Sequence, residues 1–213
     1  MTLKDTIGPL TLDQCTRLLV IAASLIPEQS VALIGAGHSA AYFAAAGLRA
    51  GHPMMFPPAV DNAPAGCACF VLDDWAKRPP DDKKSFSAVG RELGLVPPII
   101  SMDGDPAEQI LNFREAPAIG LLVVDVACYN RVKFEEATNN WMLAVPPGGR
   151  MLTIDFAFDP SEMPGWEPEG ETLGDGLIAY TKVGNTYTEL RALRHNEWYR
   201  QEARKPRPGE QLL

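Results

Sequence analysis

The sequence lacks the features that mark several large classes of protein. No stretch of its 213 residues approaches the run of about 18 apolar residues that a membrane-spanning helix needs. The N-terminus, MTLKDTIGPL, has no apolar segment after a basic start, which predicts no secretory signal and a cytoplasmic location. The cysteines show no disulfide-framework spacing, so we expect them to be reduced and buried; they are Cys15, Cys67, Cys69 and Cys128.

Positive charge is also scarce. The chain has 19 Lys and Arg against 27 Asp and Glu, a formal net charge of −8. This balance argues against a general nucleic-acid binder or a protein that docks on an anionic membrane. Self-association into a homo-oligomer stays open.

The stretch from Ser30 to Gly51 carries the strongest local signal. The apolar run Val31–Ile34 is typical of a strand buried on both faces, and Ala40–Leu48 predicts a mostly apolar helix. Between them lies the turn Gly35-Ala36-Gly37. A turn without bulky side chains lets a ligand approach the backbone, and the helix N-terminus offers unpaired N–H groups and a positive dipole end. The unit therefore predicts a nucleotide-type cofactor site, with an ordinary tight turn as the alternative.

The rest of the chain alternates strand and helix patterns up to Asp155. This alternation predicts an α/β fold, a doubly wound, mostly parallel sheet, closed by a C-terminal antiparallel hairpin of Leu177–Val183 and Tyr187–Leu193. We expect one domain over 1–213, with helical cover in 1–28 and a loose tail over 199–213. The predicted helices are Thr11–Ile26, Ser85–Leu95, Ala107–Phe113 and Val132–Val145, and a capping box of Thr11 and Gln14 opens the first of them. The further predicted strands are Cys67–Leu72, Ile99–Ile100, Leu121–Val124 and Met151–Ile154. Met54–Phe56 is predicted as a short extended piece.

Three predicted strands end in an acid, namely Asp73, Asp125 and Asp155. In open α/β sheets, ligands bind beyond the carboxyl ends of the strands. We therefore expect these aspartates and the glycine turn to line one crevice. For Asp73 a solvated pair with Asp74 at a helix start is an equal alternative.

The order of these pieces resembles the class I S-adenosylmethionine-dependent methyltransferases, and is most similar to the group of macrocin O-methyltransferase and cephalosporin hydroxylase-like proteins. That group has a strand ending in Asp, a Tyr, a Trp, a Pro-Gly-Gly turn and a second strand ending in Asp. Here the matching residues are Asp125, Tyr129, Trp141, Pro147-Gly148-Gly149 and Asp155. Leu72-Asp73-Asp74-Trp75 and Gly104-Asp105-Pro106-Ala107-Glu108 resemble two further motifs of the group.

The resemblance implies methyl transfer from S-adenosylmethionine to a small-molecule acceptor, with a hydroxyl as the group that is methylated. It implies that Gly35, Ala36 and Gly37 lie along the methionine part of the cofactor. Asp73 would bind the ribose, and Asp105 and Ala107 would lie near the adenine. Asp125 and Asp155 would face the acceptor and are the candidate ligands of Mg²⁺. His38 is a candidate base; the alternative is a polar residue at the helix N-cap.

The chain departs from the group's pattern at three positions. Leu33 stands where an acid is usual, Cys128 where a histidine is often found, and Ile154 before Asp155 where metal-dependent members often have Glu. Leu33 and Cys128 favour a methyltransferase-like protein that binds without catalysis. A second alternative is an NAD(P)- or FAD-binding Rossmann protein, because the IGAGHSA segment also resembles the first turn of those enzymes.

Overall fold

The structure of the protein is a computed structural model. It describes residues 10–35, 37–56, 67–73, 79, 81–95, 98–104, 109, 118–125, 141–154, 165–169 and 176–184.

Seven strands form a single sheet. They are β1 Ser30–Ile34, β2 Cys69–Asp73, β3 Ile99–Asp103, β4 Ile119–Asp125, β5 Arg150–Ile154, β6 Trp166–Pro168 and β7 Leu177–Lys182. Their spatial order is β3-β2-β1-β4-β5-β7-β6. Strands β1 to β5 are parallel, and β7 runs antiparallel to both β5 and β6. The predicted α/β fold with a mostly parallel sheet is confirmed.

Three described helices accompany the sheet: α1 Leu12–Ala23, α2 Gly37–Gly51 and α3 Asp82–Glu92. The central strands are buried on both faces, and alternate residues enter two apolar clusters. In β1, for example, Val31 and Leu33 belong to the cluster that contains α1, α2 and α3 residues, while Ala32 and Ile34 belong to the other. Because both faces are covered, these strands read as continuous apolar runs.

Helix α1 packs closely on α2. Its predicted capping box is confirmed: Thr11 N–H donates to the Gln14 side chain at 2.7 Å, and Gln14 N–H donates to Thr11 Oγ1 at 3.3 Å. A Cβ on Gly47 would lie 2.3 Å from Leu19 O, and one on Gly51 2.2 Å from Ala23 O. Only glycine fits at these two positions, so α1 and α2 pack together as one layer.

The antiparallel side of the sheet is present, and its pairing differs in one respect from the sequence interpretation. Strand β7 pairs with β5 on one side and with β6 on the other. The sequence analysis missed β6, and the predicted partner Tyr187–Leu193 lies outside the described residues.

Several predicted bounds are corrected. Pro53–Met55 forms a 3-10 turn, so the extended piece at Met54–Phe56 is wrong. Strand β3 runs on to Asp103, well beyond Ile99–Ile100. Helix α1 ends at Ala23 because Ser24 caps it, before Pro27 is reached. Most of the predicted helices Ala107–Phe113 and Val132–Val145 lies outside the described residues; Gln109, Trp141 and Met142 are helical.

Candidate functional site

The turn between β1 and α2 requires its glycines. Gly35 has φ 69° and Gly37 has φ 80°, a region that side chains with a Cβ rarely adopt. Gly37 is also the first residue of the 15-residue helix α2. The sequence therefore places glycines without side chains directly at the N-terminus of a long helix, which is an arrangement that suits an anionic or polar ligand.

Two strand-end acids stand on either side of this turn. In the register of the sheet, Ile34 pairs with Leu72 of β2 and with Val124 of β4. The next residues along the three strands are Gly35, Asp73 and Asp125. Neighbouring strands lie about 4.8 Å apart, so these three backbone positions share one stretch of the carboxyl edge roughly 10 Å wide. The structure thus brings together the glycine turn and two of the acids that the sequence singled out.

A further acid at this edge was missed by sequence reasoning. Asp103 ends β3, and its Cα pairs with that of Asp73. Its carboxylate forms an ion pair with Lys83 Nζ at 2.9 Å, and its carbonyl accepts a hydrogen bond from Gln109 Nε2. The sequence held a signal for this acid. If the predicted strand at Ile99 is extended through Ser101 and Met102, it ends in Asp103, as the neighbouring strands end in acids.

His38 stands in the first turn of α2, and its Nε2 is buried. Its ring centroid lies 4.8 Å from that of Phe86, which belongs to α3. Phe86 also stacks on Tyr42 with centroids 5.2 Å apart, and Tyr42 OH donates to Phe86 O at 2.9 Å. Burial raises the pKa of Tyr42 to about 12, so its hydroxyl stays a proton donor at neutral pH. These contacts fix α3 against the start of α2.

The remaining predicted site residues lie outside what is described. This applies to Ala36, Asp105, Ala107 and Asp155, and to the side chains of Asp73 and Asp125. Among the residues the structure does describe, no group of three or more His, Cys, Asp and Glu side chains is placed to hold a metal ion.

The structure rules out one arginine as a partner of the strand-end acids. In the sequence, Arg131 and Arg150 are the candidates to pair with Asp125 or Asp155 in place of a metal ion, and Arg131 lies outside the described residues. Arg150 begins β5, at the opposite edge of the sheet, and its Nε lies 2.8 Å from Glu169 Oε1. Four residues of extended strand, about 13 Å, separate it from the carboxyl edge.

The cysteines behave as the composition predicts. Cys15, Cys67 and Cys69 are free and buried, while Cys128 lies outside the described residues. Burial raises the pKa of all three thiols, that of Cys67 to about 11. Because the thiolate is the reactive form, none of these three residues is a nucleophile at neutral pH.

Comparison with solved structures identifies the fold. The O-methyltransferase TomG from Streptomyces achromogenes, involved in tomaymycin synthesis and solved in complex with SAM, matches with a TM-score of 0.58 at 12% identity, covering 84% of this chain and 82% of that one. Cofactor-bound Rv0187 from MTB matches with a TM-score of 0.55 at 15% identity, covering 83% and 82%. Precorrin-6y C5,15-methyltransferase from Geobacter metallireducens matches with a TM-score of 0.55 at 13% identity, covering 85% and 94%.

These matches and the strand order define the Rossmann-like methyltransferase fold. No protein-family model matches the sequence, and no curated protein matches it significantly. At 12 to 15% identity the likeness shows the fold, so the activity has to be argued from the site.

The same topology weakens the dinucleotide-binding alternative. A Rossmann dehydrogenase repeats its mononucleotide-binding half, with the strand order 3-2-1-4-5-6. Here β7 is antiparallel and inserts between β5 and β6. The described part of the sheet therefore has one nucleotide-type half, around β1, and no parallel counterpart beyond β5.

No helix in the described ranges is long and apolar enough to cross a membrane.

Proposed function

We propose that this protein binds S-adenosylmethionine at the carboxyl edge of its sheet and transfers the methyl group to a hydroxyl of a small-molecule acceptor. The observation that supports the proposal best is the turn at Gly35 and Gly37, both at positive φ, between β1 and the N-terminus of α2. It lies beside the strand-end acids of β2 and β4 in a sheet with methyltransferase strand order.

The residues at this edge fit the parts of the cofactor. The open backbone of Gly35, Ala36 and Gly37 would hold the methionine part, whose carboxylate the N–H groups of α2 attract. Asp73 would accept hydrogen bonds from the ribose hydroxyls. Asp105 and Ala107, which follow β3, would lie on the adenine side. These roles rest on the register of the strand ends and on the family resemblance.

Bound S-adenosylmethionine supplies an electrophilic methyl carbon on a sulfonium. The protein then has to hold the acceptor in line and remove its proton. Asp125 ends β4 beside the glycine turn, and Asp155 follows β5 directly. We assign the acceptor side to these two acids, with His38 of α2 as a candidate base.

Mg²⁺ is a separate part of this proposal. Asp125 pairs with Ile154, the residue before Asp155, so the two acids follow adjacent strand ends. Such a pair suits a hard cation with oxygen ligands and several waters. The test is methyl transfer measured with and without chelator; equal rates would remove the metal from the proposal and leave the cofactor site untouched.

The cofactor site is tested by calorimetry with a matched pair of variants. Gly37→Val places a branched side chain in the glycine turn. Gly148→Val imposes the same change at a glycine of similar φ, 85°, at the other edge of the sheet, where a Cβ meets nothing within 4 Å. We expect wild type and Gly148→Val to bind S-adenosylmethionine with affinities within about threefold of each other. Gly37→Val should bind at least about 100-fold more weakly, because the side chain blocks the backbone approach.

Equal affinity in the two variants would overturn the site assignment. Titration of wild type with NAD, NADP and FAD tests the dinucleotide-binding alternative. A ligand that binds the native state stabilises it, so binding of one of these three in place of S-adenosylmethionine would favour that alternative.

A second candidate is a protein that binds S-adenosylmethionine without methyl transfer. It is favoured by Leu33, which is 1% exposed in the apolar core where an acid is usual in related proteins. Saturable cofactor binding without turnover across a panel of hydroxyl acceptors would support this candidate over the enzyme.

A further inference from the structure

A cavity lies between α3 and the edge strand β3. It has a volume of about 110 Å³ and is lined by Phe86, Ser87, Gly90, Arg91, Ile99 and Ser101. Ile99 and Ser101 stand two residues apart in β3, so strand alternation turns both toward α3. The space is slightly smaller than an engineered apolar cavity that holds benzene, at about 150 Å³.

The interior of this cavity combines apolar walls with one unsatisfied hydroxyl. Phe86 and Ile99 are buried and belong to the same apolar cluster. Ser101 Oγ is buried and has no hydrogen-bond partner among the described residues. A buried hydroxyl without a partner is destabilising, and a hydroxyl can both donate and accept. A ligand that brings its own hydroxyl therefore complements this position.

The interior of the cavity favours a neutral ligand. Arg91, in the last turn of α3, is the charged residue of the lining. The walls formed by Phe86 and Ile99 are buried and apolar, so a carboxylate placed between them would lose its hydration. A neutral ligand avoids this cost.

We propose that this cavity binds a small neutral aromatic alcohol of the phenol class. The ring packs between Phe86 and Ile99, and the hydroxyl pairs with Ser101 Oγ. The cavity shares Phe86 with the aromatic contacts of His38 and Tyr42, at 4.8 and 5.2 Å. A ligand bound in this cavity therefore changes the surroundings of the first turn of α2. The site is separate from the proposed cofactor site and does not depend on it.

The test is titration of the full chain with phenol, benzene and benzoate, followed by amide chemical shifts. We expect saturable 1:1 binding of phenol, weaker binding of benzene, and the weakest of benzoate. The largest shifts should lie in α3 and β3, with smaller ones at His38.

Two variants at Ser101 sharpen the result. Ser101→Ala removes the hydroxyl and should weaken phenol about fivefold to tenfold, while benzene binds as well as before or better. Ser101→Leu fills the cavity and should abolish both. Three results would each overturn the proposal. They are an unchanged affinity for phenol in Ser101→Ala, tighter binding of benzoate than of phenol, and amide chemical-shift changes centred outside α3 and β3. Wild type and Ser101→Ala decide the question even if Ser101→Leu does not fold.

Discussion

The two edges of the sheet are built for different tasks. At the amino edge, where the parallel strands begin, polar groups are tied to one another. Ala68 N–H donates to the buried Ser30 Oγ at 3.1 Å, and the fully buried Lys182 donates from Nζ to Met142 O at 2.9 Å. Arg150 and Thr181 both contact Glu169 Oε1. These bonds join β1 to the residue before β2, β7 to the segment before β5, and both β5 and β7 to the residue after β6.

At the carboxyl edge the parallel strands end in residues suited to a ligand. Gly35 and Gly37 hold positive φ after β1, and Asp73, Asp103 and Asp125 end β2, β3 and β4. This difference fits the proposed function, in which the amino edge holds the fold together and the carboxyl edge binds the cofactor. Changes at the amino edge should therefore lower the free energy of unfolding without altering cofactor affinity, and changes at the carboxyl edge should do the reverse.

The largest effect is expected from Lys182→Ala. The side chain is fully buried, and its amine lies 5.6 Å from the centroid of the Trp166 ring as well as on Met142 O. Removal leaves a cavity and an unsatisfied carbonyl, so the free energy of unfolding should fall by about 3 kcal/mol in urea denaturation. S-adenosylmethionine affinity of the folded variant, measured by calorimetry, should stay within about twofold of wild type.

Lys182→Met is the matched control for that experiment. It keeps an apolar stem of similar size beside Trp166 and removes only the amine, so the loss should be about 1 to 2 kcal/mol. A loss for Met as large as that for Ala would mean that the buried amine, rather than packing, dominates at this position.

The reverse pattern is expected for Asp73→Ala at the end of β2. Loss of a charged acceptor for the ribose hydroxyls should weaken S-adenosylmethionine about 10-fold to 100-fold. The free energy of unfolding without ligand should change by less than about 0.5 kcal/mol. Leu12→Ala, which trims an exposed side chain of α1, serves as a control that should alter neither quantity. Unchanged affinity in Asp73→Ala would refute the assigned role.

Local physics made part of this architecture predictable. The Thr11–Gln14 capping box and the strand–turn–helix unit at Gly35 follow from residues close in sequence, and both are present. The continuous apolar runs of β1 and β4 correctly indicated strands covered on both faces. The glycine turn and its flanking acids could be found because parallel strands bring their carboxyl ends to one edge.

Other features depend on partners that the local sequence does not show. Strand β6 is Trp166-Glu167-Pro168, too short and too proline-rich to read as a strand; the order of the sheet puts it at an edge, where proline is tolerated. Lys182 closes β7 as a buried residue because Trp166 and Met142 surround it, against the usual exposure of lysine. The cavity beside Ser101 likewise depends on how α3 sits over β3.

A smaller effect at the amino edge is expected from Glu169→Ala. Arg150 and Glu169 are 41% and 27% exposed, and their atoms Nε and Oε1 are 2.8 Å apart. Loss of this half-buried pair and of the Thr181 contact should lower the free energy of unfolding by about 1 kcal/mol. Lys84→Ala is the control, because Lys84 and Asp81 form an ion pair that is 83% and 89% exposed and should contribute almost nothing. Equal losses in the two variants would show that burial does not distinguish the pairs.

The last effect appears only at high pH and concerns Cys67, which precedes β2 at the amino edge. Burial raises the pKa of this thiol from 9.0 to about 11, because the folded protein disfavours the thiolate. The neutral thiol therefore contributes its full stabilisation below pH 9, and this contribution is lost as the pH rises toward 11, since the unfolded chain ionises first. Urea denaturation at pH 7.5, 8.5, 9.5 and 10.5 should show unfolding free energy falling more steeply in wild type than in Cys67→Ala. The burial of Cys15 and Cys69 raises their pKa in both proteins, so these thiols contribute equally and cancel in the comparison. Parallel curves would mean that water reaches the Cys67 sulfur, and that the amino edge is less tightly closed around β2 than around β5 and β7.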